Sequence, residues 1–307
     1  MNESVDIAVV ILTLNESVHL PRALDHIKGF AREIFVIDSF STDNTAELAK
    51  VGGAQVILHP FQSHAQQFQW ALENAPITAQ WVMKLDADEV VEPDLADEIR
   101  KRLPNLPEHV TGINLNRKTI FRGKFIRHGG RYPLTLLRIW RRGKARVEDR
   151  WMDEHIYLTE GSAVGFKGGF ADHNLNDLTF FTAKHNVYAS REALQVLSRR
   201  LYLLDSQRSL VAGVTSQQAK VKRILKESVY DRVPFEISSV LYFLYRYILR
   251  LGFLDGRDGL TYHVLQAFWY RFLVGSKLRE LEEAVRMAKS KDEWLSIIER
   301  LSHQHLN

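Results

Sequence analysis

The first 90 residues alternate between short apolar runs and helical patterns, and this alternation constrains the fold more than any other feature. Four apolar runs have the length of β-strands, at residues 7–12, 34–37, 55–58 and 81–85. Helical patterns separate them, at residues 20–27, 46–51 and 65–74. Strands that alternate with helices at this spacing form right-handed βαβ units. We therefore predict an α/β fold with a mostly parallel sheet and flanking helices.

Size and composition exclude several classes of protein. The chain has 307 residues, of which 45% are hydrophobic and 25% charged, so it is neither disordered nor fibrous. It has no cysteine, which excludes a disulfide framework, a thiolate metal site and a cysteine nucleophile. No run of about 18 apolar residues lacks a charge, and the N-terminus lacks the basic start of a signal peptide. We expect a cytoplasmic protein without a simple membrane-spanning helix.

Charge is distributed unevenly along the chain. Residues 1–100 contain 6 basic and 16 acidic residues, whereas the whole chain has a net charge of +4. An acidic first part followed by a basic remainder predicts two surfaces with different partners. No nucleic-acid-binding motif accompanies the basic part, so we do not expect nucleic acid among those partners.

Polar residues follow the predicted strands at their carboxyl ends, where parallel sheets bind ligands. Thr13 and Glu16 follow the first strand, Asp38 follows the second, and Asp86 and Asp88 follow the fourth. Taken singly, such residues also cap helices or form turns. Two carboxylates that are two residues apart repel each other, and a divalent cation relieves that repulsion. Oxygen ligands favour Mg²⁺ or Mn²⁺ over zinc or copper.

The last third of the chain allows two interpretations. Residues 237–254 are apolar and aromatic, with Arg246 and Arg250 four apart on one predicted helical face, and residues 268–273 are similar. One interpretation is a packed helical subdomain. The other is a surface that lies in the membrane interface, with arginines at lipid phosphates. A cluster of basic residues would add attraction to an anionic leaflet: Lys220, Lys222, Arg223 and Lys226.

Several segments resemble family 2 glycosyltransferases. Three of them match the N-terminal signatures of that family in order and spacing: residues 10–16, 36–45 and 81–89. Three more resemble the bacterial subgroup that builds lipopolysaccharide cores and exopolysaccharides: residues 128–133, 153–155 and 252–257. The resemblance therefore covers nearly the whole chain.

This resemblance implies a GT-A fold and an inverting transfer from a nucleotide-sugar, usually a UDP-sugar. It implies a catalytic domain over residues 1–178, with a nucleotide-binding half (1–100) and an acceptor half (101–178). Residues 179–307 would form a helical C-terminal region. The acceptor would be a lipid-linked saccharide, and the protein would sit peripherally on the inner face of the cytoplasmic membrane.

The resemblance also implies nucleotide contacts. Thr13, Glu16 and Asp38 would contact the base and ribose of the nucleotide. Gln67 and Lys84 would make weaker contacts with the base or the diphosphate. Each of these side chains also has an ordinary structural alternative, such as a cap or a turn.

The implied metal and catalytic residues form a second set. Asp86 would contact ribose or metal, and Asp88 would hold the metal, Mg²⁺ or Mn²⁺, on the diphosphate. His173 would complete the metal site, although a structural or capping histidine is an equal alternative. Glu154 would be the general base, with Asp153 in reserve. Aspartate precedes this glutamate where the family often has histidine.

Two other functions are compatible with parts of the sequence. A nucleotidyltransferase also uses carboxylate-bound Mg²⁺, but it would normally carry a glycine-rich basic loop after the first strand. Residues 13–16 are acidic and lack glycine. A non-catalytic lipid-binding or glycan-binding protein would use the basic helical part alone, and it would show no metal-dependent UDP binding.

Overall fold

A computed structural model describes residues 4–148, 155–200 and 233–288. The described residues divide into two compact units. Residues up to 127 and residues 131–175 belong to the first unit. Residues 128–130 and those from 176 onward belong to the second. Glu154 and Asp153 lie outside the described residues, so their predicted catalytic roles stay predictions.

The first unit is built on one large mixed sheet and one small hairpin. Its described strands are β1 (Val5–Thr13), β2 (Ala31–Asp38), β3 (Gln55–Leu58), β4 (Trp81–Asp86), β5 (Glu89–Val91), β6 (Val110–Phe121), β7 (Lys124–Phe125), β8 (Leu134–Arg141), β9 (Ala145–Val147), β10 (Ile156–Leu158) and β11 (Ser162–His173). The sheet order is β3-β2-β1-β4-β8-β6-β11-β5, with β7 beside β6, and β9 pairs with β10. Strands β1 to β4 are mutually parallel, whereas β8 and β5 run antiparallel to their neighbours. The predicted α/β fold is therefore confirmed, but the sheet as a whole is mixed, and its parallel part consists of β1 to β4 and the pair β6–β11.

Helices cover both faces of this sheet. They are α1 (Leu20–Ile27), α2 (Thr45–Val51), α3 (His64–Asn74) and α4 (Pro93–Arg102). Alternate residues of β1 enter opposite cores: Ile7, Val9 and Ile11 pack with α1 and α4, whereas Ala8 and Val10 pack with α3. A strand that is buried on both faces must be apolar throughout, which explains the continuous run at residues 7–12.

Glu33 joins β2 to the turn that precedes β4. Its carboxylate accepts the backbone N–H groups of Thr78 at 3.0 Å and Ala79 at 3.2 Å, and the Thr78 hydroxyl also donates to it. Arg32 donates to the same carboxylate at 2.9 Å. Burial alone raises the pKa of Glu33, but these hydrogen bonds outweigh burial and lower the pKa to about 2.

We expect Glu33→Gln to destabilise the protein by about 1–2 kcal/mol at pH 6, because it removes a charged acceptor of several hydrogen bonds. The folded-state pKa lies below the unfolded-state pKa of about 4.3, so the stabilisation is complete above the unfolded value. It is lost as the pH falls towards 2. Urea unfolding at pH 6 and pH 3 should show the difference between wild type and variant shrinking at low pH. The exposed Glu47→Gln serves as the control, and a difference that does not change with pH would contradict the assignment.

The second unit is helical, as predicted for the C-terminal region. Its described helices are α5 (Leu178–Arg200), α6 (Phe235–Leu244), α7 (Gly256–His263) and α8 (Tyr270–Met287). Helices α5 and α8 form its hydrophobic core through Ala189, Ala193, Leu194, Val196, Leu197, Val274, Leu278 and Leu281.

Residues 237–254 do not form the single continuous helix that the sequence suggested. Helix α6 ends at Leu244, a π-helical turn spans Tyr245–Leu249, and Leu251 has a left-handed φ of 60°. The wider turn rotates the side chains that follow it. Arg246 is buried and its Nε donates to the Gly129 carbonyl at 2.8 Å, whereas Arg250 is exposed. The two arginines, which the sequence placed on one helical face, therefore differ in burial.

Two segments that resemble the bacterial subgroup meet in the second unit. Asp255 accepts the backbone N–H of His128 at 2.9 Å and bonds the His128 Nδ1 at 2.7 Å. Gly129 donates its backbone N–H to the Arg250 carbonyl at 2.8 Å. Residues 128–130 are therefore hydrogen-bonded to residues before and after the bend at Leu251, which follows α6.

Length and apolar composition are the two criteria for a helix that could cross a bilayer. No single described helix meets both. The stretches Phe235–Leu249 and Gly252–Met287 meet those criteria only as a pair, and they are bent by 71°.

Candidate functional site

Three strand ends bring polar residues to one edge of the sheet. Thr13 at the end of β1 lies opposite Asp38 at the end of β2, and Leu12 lies opposite Asp86 at the end of β4. Parallel strands that end in register place their final side chains close together. The edge therefore gathers residues from three separate parts of the chain.

Asp38 organises the loop that follows β2. Its carboxylate is buried and accepts the Thr13 hydroxyl at 2.9 Å, the Ser41 backbone N–H at 2.8 Å and the Ser41 hydroxyl at 2.5 Å. A carboxylate offers about four acceptor positions, so these three hydrogen bonds leave room for a further donor. The implied role of Asp38 in nucleotide binding stays a prediction.

The loop after β1 is fastened to the loop after β2. The Glu16 backbone N–H donates to the Thr45 hydroxyl at 2.8 Å, and the Ser17 backbone N–H donates to the Asp43 carboxylate at 3.2 Å. Burial raises the pKa of Asp43, but hydrogen bonds from Thr45 and Ser17 outweigh it and lower the pKa to about 2. The backbone of these two loops is therefore held in place by charged and hydroxyl groups.

His19 connects Glu16 to the end of the first unit. Its Nδ1 lies 2.6 Å from the Glu16 carboxylate, and its Nε2 lies 2.9 Å from the Leu175 backbone N–H. Since a backbone N–H can only donate, Nε2 accepts and the ring hydrogen is on Nδ1. The buried imidazole therefore donates to Glu16 and orients its carboxylate.

Gln67 and Lys84 are both buried. The Gln67 amide nitrogen donates to the Ser39 hydroxyl at 3.1 Å and to the His59 carbonyl at 3.2 Å. The Lys84 ammonium lies 5.2 Å from the centre of the Phe68 ring. Gln67 thus fixes the ends of β2 and β3, and its implied nucleotide contact, like that of Lys84, stays a prediction.

An ion-pair network with a buried Arg138–Glu89 pair lies next to Asp86, whose side chain is 42% exposed. The Arg138 Nη2 donates to the Glu89 carboxylate at 2.8 Å and lies 3.3 Å from the Asp86 carboxylate. The Asp86 backbone N–H donates to the other Glu89 oxygen at 3.0 Å. Arg117 reaches Glu89 at 3.4 Å and Asp172 at 3.6 Å. Two guanidinium groups therefore compensate three neighbouring carboxylates.

The network shifts the pKa values of its carboxyls in opposite directions. Burial raises the pKa of Asp86, but the charge of Arg138 outweighs burial and holds this pKa below its usual range. For Glu89, burial dominates over Arg138, the charge of Asp86 adds to it, and the pKa is raised. Burial also raises the pKa of Asp172, against the charge of Arg117. Asp86 is therefore the carboxyl of this group that stays ionised most readily.

Some donors of this network are directed to no protein acceptor. Within the described ranges, the Arg138 Nη1 and the Arg117 Nε are buried without a hydrogen-bond partner. Buried guanidinium nitrogens without acceptors are costly to the folded state.

Asp88 and His173 lie side by side. The His173 backbone N–H donates to the Asp88 carbonyl at 3.0 Å, and the Asn174 amide donates to the Asp88 carboxylate at 3.0 Å. The Arg22 Nη1 lies 3.1 Å from the His173 Nδ1. Because guanidinium only donates, that nitrogen accepts and the ring hydrogen is on Nε2. Burial and then the charge of Arg22 lower the pKa of His173, so the ring is neutral.

These residues fit a metal ion that shares its coordination with a ligand. The described residues contain no group of three or more histidine or carboxylate side chains around one point. Mg²⁺ is commonly held by only one or two carboxylates together with substrate phosphates and water. Asp88 suits such a site. The His173 Nδ1 can bind a metal ion only after Arg22 has released it, because Arg22 donates a hydrogen bond to that nitrogen. The Nε2 carries the ring hydrogen and cannot bind the ion in this tautomer.

The structure describes the residues on either side of the segment that contains the predicted general base. Strand β9 pairs with β10, and the Glu148 backbone N–H donates to the His155 carbonyl at 2.8 Å. Glu154 and Asp153 lie in the connection between these two strands, outside the described residues.

Sequence reasoning missed Glu89, Arg117 and Arg138. Arg138 is buried in the ion-pair network. A signal was present, because Arg138 interrupts the apolar strand at residues 134–140. A charged residue in such a strand usually has a buried partner.

Comparisons with known proteins show the family of this chain. A family model described as glycosyl transferase family 2 matches residues 8–173. An uncharacterized glycosyltransferase of Rickettsia typhi is 24% identical over 301 residues, which cover 94% of this chain and 92% of that protein. The lipopolysaccharide core biosynthesis glycosyltransferase LpsC of Rhizobium meliloti is 27% identical over 175 residues, 54% of this chain and 62% of that protein.

Among solved structures, the chain is similar to glucosyl-3-phosphoglycerate synthase of Mycobacterium tuberculosis, crystallised with Mn²⁺, UDP and glucosyl-3-phosphoglycerate. The identity is 24% and the TM-score is 0.30, over 38% of this chain and 44% of that chain. The chain thus spans less than half of that enzyme. The family match is more extensive, because it begins within β1, ends at the last residue of β11 and includes every strand that carries a site residue. With more than half of its residues in that match, the chain belongs to glycosyltransferase family 2 and is a glycosyltransferase.

Proposed function

We propose that this glycosyltransferase moves one sugar, with inversion, from a UDP-sugar to a hydroxyl of a lipid-linked glycan. The observation that carries the proposal is the convergence of Thr13, Asp38 and Asp86 at one sheet edge. Open α/β sheets bind their ligands at such an edge. The similarity to a lipopolysaccharide core glycosyltransferase supports a glycan acceptor in bacterial polysaccharide biosynthesis.

In this proposal the nucleotide lies across the strand ends. Thr13, Glu16 and Asp38 contact its base and ribose, with Gln67 and Lys84 as further contacts.

A divalent cation, Mg²⁺ or Mn²⁺, belongs to the same proposal. Asp88 holds it, Asp86 contacts ribose or the cation, and His173 joins once Arg22 has released its ring. The bound cation supplies charge stabilisation for the departing diphosphate oxygen. Asp88 is half-buried and its carboxylate receives the Asn174 amide, so its orientation is defined before any ligand arrives.

The transfer itself needs one base. The acceptor hydroxyl oxygen forms a bond to the anomeric carbon, its proton passes to a carboxylate, and the bond from that carbon to the diphosphate oxygen breaks. We assign this base to Glu154, with Asp153 in reserve. A single base is sufficient for inversion, because attack occurs on the face opposite to the leaving group.

A lipid-linked acceptor implies a place of action. We propose that the protein works peripherally at the inner face of the cytoplasmic membrane, where nucleotide-sugars and lipid-linked saccharides meet. Nucleic acid is not a partner in this proposal.

The decisive experiment is titration calorimetry with UDP in the presence of Mg²⁺ or Mn²⁺ and, separately, with chelator. We expect binding that depends on the cation, followed by turnover of one nucleotide-sugar in a screen. Metal-independent binding would contradict the cation site. Cation-dependent incorporation of a nucleotide into product would instead indicate a nucleotidyltransferase.

A Glu154→Gln variant should bind UDP as tightly as wild type but transfer sugar about 10²- to 10⁴-fold more slowly, the usual contribution of a general base. Calorimetry and a coupled UDP-release assay measure the two quantities, with Asp153→Asn assayed in parallel. Near-normal transfer by Glu154→Gln together with loss in Asp153→Asn would move the base to Asp153.

A further inference from the structure

The second unit exposes a continuous set of large apolar side chains, here called the apolar face. Its members are Ile237, Val240, Leu241, Leu244, Tyr245, Ile248, Leu249, Leu251, Phe253 and Leu254. Leu249 is 73% exposed and Leu254 is 55% exposed. Exposed apolar patches of this size on soluble proteins mark sites of interaction.

The first residues of the apolar face share one side of a helix. Ile237, Val240, Leu241 and Leu244 have the spacing of a single face of α6. The exposed Tyr245, Ile248 and Leu249 follow in the π-helical turn. Beyond the bend the face continues with Leu251, Phe253 and Leu254.

The hydrogen bonds of this region are made by buried side chains and not by the side chains of the apolar face. Arg246 and Asp255 are buried and hold Gly129 and His128. The hydrophobic core of the unit lies elsewhere, between α5 and α8. The bend is therefore supported by buried hydrogen bonds, which leave the aliphatic side chains directed to solvent.

Basic side chains are the fully exposed charges within the apolar face. Between residues 237 and 260 these are Arg250 and Arg257, whereas Asp255 is buried and Asp258 is half-buried. The exposed Glu236 precedes the face. Tyr245 and Phe253 are nearly half exposed at the same end. Aliphatic residues bordered by tyrosine and arginine match a bilayer, which offers hydrocarbon beneath anionic phosphates.

We infer that the apolar face inserts into one leaflet of an anionic lipid bilayer and holds the protein there without crossing it. The stretch Phe235–Leu249 has 15 residues, or about 22 Å of helix at 1.5 Å per residue. This is shorter than the hydrocarbon core of about 30 Å. The 71° bend also turns the following stretch away from the same axis. This inference rests on the proposed function, since a lipid-linked acceptor gives the insertion its purpose.

The absence of cysteine from the chain allows a direct test with single-cysteine probes. Leu254→Cys and the control Val51→Cys, which is 87% exposed on α2 of the first unit, would each carry an environment-sensitive fluorophore. We expect a blue shift at residue 254 on addition of phosphatidylcholine–phosphatidylglycerol vesicles, a smaller one with phosphatidylcholine alone, and none at residue 51. No shift at residue 254 would overturn the inference.

A second arm uses flotation of the full-length protein on the same vesicles. Leu249→Glu combined with Leu254→Glu should reduce the floated fraction at least about tenfold, because two inserted aliphatic groups are replaced by charges. Val51→Glu should leave the floated fraction unchanged. Leu249, Leu254 and Val51 are all exposed. Circular dichroism checks that each variant is folded.

The remaining outcomes identify another occupant of the face. A blue-shifted probe in buffer alone would mean that the face is already covered, either by another part of this chain or by a second copy. Sedimentation equilibrium would detect a second copy as a dimer that the double glutamate variant dissociates. Either result would overturn insertion into lipid. Cation-dependent UDP binding, measured separately, should be equal in wild type and the double variant, so a failure of the proposed glycosyl transfer is recognised independently.

Discussion

Asp88→Ala should lower sugar transfer by about 10²- to 10³-fold or more, the loss that follows removal of one group that stabilises charge in a transition state. In the proposal, Asp88 holds the cation that stabilises the departing diphosphate. Among the described residues its carboxylate receives one hydrogen bond, from Asn174, so the substitution should cost little stability. Initial rates with saturating Mn²⁺, and a thermal melt, measure the two effects.

Two matched variants sharpen this experiment. Asp88→Asn keeps the size of the side chain but not its charge, and it should be nearly as inactive as Asp88→Ala. Asp97→Asn removes an exposed carboxylate on α4 and should be fully active. If Asp88→Ala turned over normally in the presence of chelator, the proposed cation site would be wrong.

Arg138→Met should produce the largest loss of stability among the variants considered. The guanidinium is buried between Glu89 and Asp86, and its removal leaves two carboxyls without their main positive partner. Breaking a buried pair in this way costs about 3–5 kcal/mol. For a domain of this size the melting temperature should fall by about 10 °C.

The pH dependence distinguishes loss of the ion pair from loss of packing. Without Arg138 the folded-state pKa values of both carboxyls rise, so the penalty grows as the pH rises and shrinks where the carboxyls are protonated. Thermal melts at pH 5 and pH 8 should show a larger difference at pH 8. Arg142→Met, at an exposed position just after β8, is the control. An equal loss at both pH values would indicate packing alone.

Much of the fold was predictable because the signals are local. The third strand was predicted at residues 55–58 and forms there, and the apolar run at 7–12 lies within β1. In these segments the period of the apolar residues and the adjacent turn residues indicate the same structure. The break near residue 250 was not predictable in this way, because an apolar sequence permits a helix throughout. Long-range bonds from Arg246 to residue 129 accompany the observed break.

The site was predictable only at the strand ends. Thr13, Asp38 and Asp86 follow apolar runs, and their convergence follows from a parallel sheet. The partners of Asp86 come from Arg138 on β8, 52 residues away, and from Glu89, three residues away. Which arginine reaches a given carboxylate depends on strand order, and β8 is inserted next to β4 ahead of β6. That order has no local signal in the sequence.

The assignment of residues 128–130 to the second unit has a consequence for how such enzymes diversify. The chain passes from one unit to the other three times, after residues 127, 130 and 175. A gene fragment that ends at residue 175 would therefore separate His128 from Asp255 and Gly129 from Arg246. A single crossover between residues 130 and 246 would mismatch these pairs, so exchange of the C-terminal helices alone would replace only one partner of each pair.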